Sequence, residues 1–174
     1  DSAELIFQDY RVPASHLIGN VEGQGFVQIA GGLELGRINV AARGAGMAQG
    51  ALDLALAYAK EREAFGKPIA QHQAIAMKLA DMSTQAEAAR LLVETAAQKF
   101  DSGQRCDLEA GRAKLFASEA AVHNATEGMR IFGGYSYSTE YEIERFYRDA
   151  PLMCIGEGTN EIQKLIIAKS LLKA

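Results

Sequence analysis

Along most of this chain apolar residues recur at alternating spacings of four and three, the signature of a helical seam rather than of strands. A first such pattern covers about residues 24–62, through Phe26, Ala30, Leu33, Arg37, Val40, Gly44, Met47, Ala51, Leu54 and Tyr58. A second covers about 71–101, through Ile75, Leu79, Met82, Ala86, Ala89, Val93, Ala96 and Phe100, and a third about 108–131, through Leu115, Val122, Ala125 and Met129 to Phe132. The fourth pattern is split: a short helix over about 140–149, then "APLMCIGEG", then a helix over about 160–172 with Ile162, Leu165, Ile166 and Leu172 facing inward. Gly- and Pro-bearing breaks separate the elements at "FGKPI", "DSG" and "GGYS". A period near 3.5 sustained over three long segments predicts an all-α fold, an antiparallel up-down four-helix bundle.

Only the start breaks this picture. "ELIFQDYRVP" reads as a strand ended by proline, and a lone strand does not hold itself together in water. Residues 1–18 are therefore expected to be the trailing edge of an upstream β domain, and residues 19–174 the helical bundle.

Length and composition agree with one domain: 174 residues, 48% hydrophobic, net charge −4. That acidic balance argues against a nucleic-acid partner, and no apolar run is long enough to span a bilayer. Cys106 and Cys154 stand far apart, giving neither a disulfide framework nor a zinc pattern. A reducing compartment is expected.

Four places carry candidate chemistry. In "IGEGTNEIQ" Glu157 stands between Gly156 and Gly158, just before the last helix, where Thr159 or Asn160 can act as cap. A carboxylate there is either a tunable base or a plain surface acid in a capped turn. Arg37 falls on the apolar seam, where a charge needs a partner, a ligand or a route to solvent; Glu34 lies one turn earlier. In "EREAFGKPIAQHQ" Arg62 ends one helix and His72 and Gln73 open the next, either a phosphate site or an ordinary solvated corner. In "RIFGG" the two glycines cap a helix or admit a phosphate against the backbone.

The order and separation of "ERxxFGxPIxxHQ", "RIFGG", "TEYxIER", "RDA" and "EGTNEIQ" resemble the C-terminal helical domain of the acyl-CoA dehydrogenases over nearly the whole chain. The resemblance implies a three-domain FAD enzyme that oxidises an acyl-CoA thioester to the trans-2-enoyl-CoA. A base takes the α proton, the β hydrogen leaves as hydride to the flavin, and electrons pass to an electron-transfer flavoprotein. It implies Glu157 as that base, with Gly158 beside the substrate. Glu34 and Arg37 match positions near the CoA pantetheine. Arg62, Phe65, His72 and Gln73 match residues that clamp the FAD phosphates and adenosine end of the neighbouring subunit, in a homodimer or homotetramer. Arg130, Gly133, Gly134, Thr159 and Glu161 match further FAD contacts. No metal is implied, and the compartment implied is the bacterial cytoplasm or the mitochondrial matrix.

Some members place the base on the first helix, just before the arginine matching Arg37; here that position is Gly36. Two positions depart from the family's usual residues: Arg130 where most members carry Gln, and Gly156 where Tyr is frequent. An acyl-CoA oxidase, or an assembly module without catalysis of its own, are the alternative readings.

Overall fold

The computed structural model describes residues 3–172 and divides into two compact units, Asp1–Gly32 and Leu33–Ala174. In the first, residues 3–13 carry no regular secondary structure, and short 3-10 turns occupy Ala14–His16 and Ile18–Asn20. The strand expected over "ELIFQDYRVP" does not form. A strand needs a neighbour for its N–H and C=O groups, and no described residue supplies one; Leu5, Ile6 and Phe7 are all exposed.

The second unit is the expected bundle. Helix α1 (Gly25–Glu61) enters it from the first unit, followed by a small hairpin, β1 (Glu63–Ala64) with β2 (Lys67–Pro68). Helices α2 (Gln73–Asp101), α3 (Asp107–Phe132), α4 (Ile143–Ile155) and α5 (Asn160–Leu172) complete it. Side-chain contacts fix the directions. Arg37 meets Asp107, Gly44 lies against Ala117, and Ala48 receives a bond from Asn124, so α1 and α3 run parallel. Lys78 pairs with Glu127 and Lys99 with Glu109, so α2 is antiparallel to α3. Ile143 packs on Gly128 and Cys154 O receives Lys114, while Asn160 meets Lys114 and Gln163 approaches Gly111. Both α4 and α5 thus descend along α3: they are one broken fourth helix.

Alanine dominates the core, from Ala41, Ala48, Ala51, Ala55 and Ala59 on α1 to Ala110, Ala113, Ala117, Ala120 and Ala121 on α3. Small side chains let the backbones approach closely. At Gly44 a Cβ would stand 2.8 Å from Ala117 O and 3.0 Å from its carbonyl carbon. Backbone atoms cannot swing aside, so Gly44→Val is expected to cost about 2–3 kcal/mol by overpacking, read as a lower melting temperature with the helical spectrum retained. At mid-height the buried Asn124 ties three helices, its Nδ2 donating to Ala48 O and Met82 O at 2.9 Å each.

Three expectations about the helices need correction. Phe26, placed on the first seam, is exposed, as are Ile162, Leu165 and Leu172, expected to face inward on the last helix. The inward face of α5 instead carries Asn160 and Gln163, both buried, with Ile166 and Ile167 half-buried. Polar groups take the core positions there because a break in the fourth helix leaves backbone groups that need partners. The short helix also does not stop at residue 149: α4 runs through Pro151 to Ile155.

Candidate active site

The break between α4 and α5 holds Glu157. Gly156 closes α4, its N–H donating to Leu152 O at 2.9 Å, and the chain enters α5 through Thr159, whose carbonyl accepts the N–H of Gln163 at 3.0 Å. Between them the left-handed conformation falls on Glu157 itself (φ 55°) and on Gly158 (φ 89°), whereas Gly156 is extended with φ −61°. A non-glycine residue held in that region costs about 1–3 kcal/mol and persists only where its surroundings over-determine it. Gln163, fully buried, helps to do so: its Nε2 donates to Gly158 O at 3.0 Å and to Glu157 O at 3.3 Å.

The twist carries the Glu157 side chain against Gly36 of α1. A methyl built on Gly36 would stand 2.5 Å from Glu157 Oε2 and 2.8 Å from Cδ. The bare α-carbon of Gly36 is therefore the space that the carboxylate occupies. Glu157 is exposed in this chain, so the carboxylate is presented to whatever covers this end of the bundle.

Arg37 follows directly on α1. Its partner is not Glu34 but Asp107, at 3.2 Å, in the first turn of α3. Only 11% of the Arg37 side chain is exposed, and its Nε has no protein partner. Glu34 accepts the N–H of Cys106, the residue that precedes α3, and so caps that helix from outside. Burial, and then Glu34 beside it, push the Cys106 thiol up to about 11. Thr159 is half-buried. The Glu161 carboxyl is held below its ordinary value by the N–H at its own position and by the Thr159 hydroxyl.

The other candidate residues gather elsewhere. Arg62, Gly133 and Gly134 line one hollow of about 440 Å³ with Tyr58, Ile69 and Tyr135. Arg62 Cζ sits 5.6 Å from the centre of the Tyr135 ring, and Tyr58 stacks on Phe132 at 4.1 Å. Gly133 has φ 61°, and a Cβ added to Gly133 or Gly134 would meet nothing within 4 Å, so both backbones stand open. An exposed guanidinium, aromatic walls and open backbone fit a group with phosphates and a planar ring. At the tip of the β1–β2 hairpin Phe65 (φ 53°) is 96% exposed and Gly66 has φ 78°, a left-handed pair typical of two-residue hairpin turns. His72 braces the tip, with Nε2 3.0 Å from Ala64 O and its ring edge-on to Phe65. Gln73 opens α2 and is exposed.

Arg130 stands outside this hollow. It is held by Glu127, which Lys78 also bonds. Burial would raise the Glu127 carboxyl, but these two hydrogen bonds outweigh it and leave the group below its ordinary value.

Gly36, and with it Glu157, lies roughly 40 Å from Arg62 along α1 at 1.5 Å per residue. The sequence motifs therefore form two separate clusters at opposite ends of the bundle. Four residues at these clusters are not among the sequence candidates: Lys114 and Ser118, which both meet Asn160, together with Tyr135 and Gln163. Lys114 left a trace, because it falls four residues after Ala110 and three before Ala117, on the buried stripe of α3.

Among the described residues no helix is long and apolar enough to cross a membrane. A family model, acyl-CoA dehydrogenase C-terminal domain, matches residues 23–172. The chain is 51% identical over 172 residues to an acyl-CoA dehydrogenase of Bacillus subtilis, covering 99% of this chain and 45% of that protein. It is 47% identical over 173 residues to an acryloyl-CoA reductase (NADH) of Anaerotignum propionicum, covering 99% and 44%. Its fold superposes on butyryl-CoA dehydrogenase from Megasphaera elsdenii with a TM-score of 0.91 at 46% identity, over 96% of this chain and 43% of that one. The chain thus spans less than half the length of these relatives, and it belongs to the acyl-CoA dehydrogenase family as that family's C-terminal helical domain.

Proposed function

We propose that this domain works within a longer FAD-dependent acyl-CoA dehydrogenase, in which residues 1–18 end a preceding β domain and Glu157 is the base that removes the α proton of an acyl-CoA thioester. The observation that carries the reading is the Glu157 carboxylate lodged over the bare Gly36, on a helix break that fixes its backbone in the left-handed region. Bound FAD supplies the acceptor for the β hydride. An α proton beside a thioester is weakly acidic, so the site needs a well-aimed carboxylate together with donors for the thioester oxygen. Glu157 supplies the first; its own N–H, turned by the same loop, is proposed to supply one of the second. A covering acyl chain would desolvate the carboxylate and raise its proton affinity. The test is anaerobic: the full-length protein should lose its flavin absorbance on mixing with an acyl-CoA, and no bleaching across a series of chain lengths would refute the reading.

FAD is proposed to lie against the Arg62 hollow of one subunit and to serve the Glu157 of another. The roughly 40 Å between the clusters exceeds what one dinucleotide reaches, which supports a homodimer or tetramer with Arg62 directed across an interface. Arg62→Ala should raise the dissociation constant for FAD about 10-fold or more while leaving turnover of FAD-saturated enzyme within about threefold, measured by flavin release on dilution. Equal retention of FAD by both proteins would contradict the assignment.

An electron-transfer flavoprotein as acceptor and a cytoplasmic setting complete the proposal. A second reading is favoured by the reductase among the relatives: the same site run backwards, with Glu157 delivering the α proton to an enoyl-CoA.

A further inference from the structure

A helix broken in the interior of a bundle leaves carbonyls without partners at the end of its first half and N–H groups at the start of its second. In this chain the break is spanned by one buried cation. Lys114, on the inward stripe of α3, is fully buried. Its Nζ donates to Cys154 O, in the last turn of α4, at 3.0 Å, and to Asn160 Oδ1, at the start of α5, at 2.8 Å. Ser118, one turn further along α3, places Oγ 3.1 Å from the same Asn160 oxygen, and Asn160 Nδ2 donates to Glu119 at 2.8 Å. Among the described residues no carboxylate pairs with Lys114. Burial accordingly pulls its proton affinity below the ordinary lysine value, against the smaller opposing influence of Cys154, Glu161 and Glu119.

A buried unpaired lysine is a costly way to satisfy two oxygens, and an apolar side chain of similar volume would pack an alanine-rich core at lower cost. What the lysine does that an apolar residue cannot is hold both flanks of the Glu157 loop to one point. Its position at the C-terminal end of α4 also suits a cation. Gln163 then fixes the middle of the loop from the α5 side.

We propose that Lys114, through Cys154 O and Asn160, is a positioning residue for Glu157: it registers α4 against α5 and thereby holds the base in its left-handed conformation over Gly36. This rests on Glu157 being the base. Lys114 is fully buried behind the loop and acts through its flanks, so its removal should act on proton transfer and leave binding alone.

The test uses the full-length FAD-bound enzyme with Lys114→Met and, as a milder lesion that keeps the lysine, Asn160→Ala. Both are compared with Glu157→Gln. At saturating acyl-CoA, Lys114→Met should lower kcat about 10- to 100-fold with little change in KM, as expected for a misplaced reacting group. Asn160→Ala should follow in the same direction. The isotope effect with α-deuterated acyl-CoA should grow, because proton removal becomes more limiting. Independently of turnover, amide hydrogen exchange over residues 155–160 should quicken while that of α3 stays slow. The proposal is overturned if both variants keep the wild-type kcat, isotope effect and loop exchange, or if a lower rate merely tracks lost folded protein with an unchanged isotope effect. A Glu157→Gln enzyme that still turns over normally would instead overturn the identification of the base.

Discussion

Glu157→Gln in the full-length enzyme should leave FAD content and acyl-CoA binding near normal and slow flavin reduction on the order of thousands-fold or more. Glutamine keeps the length and planarity of the side chain, and it fits the space over Gly36 that Oε2 fills now. It cannot accept a proton. The backbone hydrogen bonds of the loop come from Gln163 and Lys114, not from the Glu157 carboxylate, so the turn should survive the change. Stopped-flow absorbance at the flavin band gives the rate, and a melting curve shows whether the fold is intact. Reduction within tenfold of wild type would remove Glu157 from the chemistry.

Gly36→Ala should be the most damaging conservative change on α1, and for a reason unrelated to helix stability. The new methyl would stand 2.5 Å from Glu157 Oε2 and 2.8 Å from Cδ, a contact that something must relieve. The obstacle is the far end of a flexible side chain, so the carboxylate swings away and the bundle is undisturbed. Alanine is also the better helix former, so the melting temperature should hold or rise slightly. The rate of flavin reduction should fall about 100-fold, since a displacement near 1 Å at a reacting group costs that much. Gly44→Val gives the opposite pairing, because the methyl groups there meet the backbone of Ala117, far from the site: stability falls while chemistry per folded molecule holds. Comparing the two separates the glycine that makes room for the base from the glycine that makes room for a helix.

Much of this was legible in the chain, because seams and breaks are local properties. The alternation of threes and fours gave the long helices and their directions, and Gly–Pro breaks gave the corners. The split in the fourth helix was legible too, since glycines flank Glu157. What the local pattern could not carry was the reason for the split. Ile162, Leu165 and Leu172 looked like the inner face of α5 by hydrophobicity, yet Asn160 and Gln163 lie inside because the break behind them needs hydrogen-bond partners. Backbone demand overrode side-chain hydrophobicity, and that demand exists only once α4 and α5 are laid along α3. The strand expected over "ELIFQDYRVP" failed on similar grounds, since no described residue offers it a strand to pair with. Arg37 was singled out as a charge on an apolar stripe, and the same argument applied to Lys114 would have found the cation beneath the site. The partner of Arg37, Asp107, lies seventy residues away in sequence and carried no local signal. The resemblance of motifs already implied that the Arg62 corner and Glu157 serve different subunits; the distance between them follows from the length of α1.

The central claim, that Glu157 removes the α proton, is tested most directly without any redox turnover. The full-length enzyme holding FAD is incubated in D₂O with an acyl-CoA whose β carbon bears no hydrogen, and deuterium at the α carbon is followed by mass spectrometry. Wild-type enzyme should wash in deuterium at one of the two α positions, and Glu157→Gln should show none above the spontaneous rate. Exchange undiminished in Glu157→Gln, or no exchange in the wild type with a ligand shown to bind, would contradict the account.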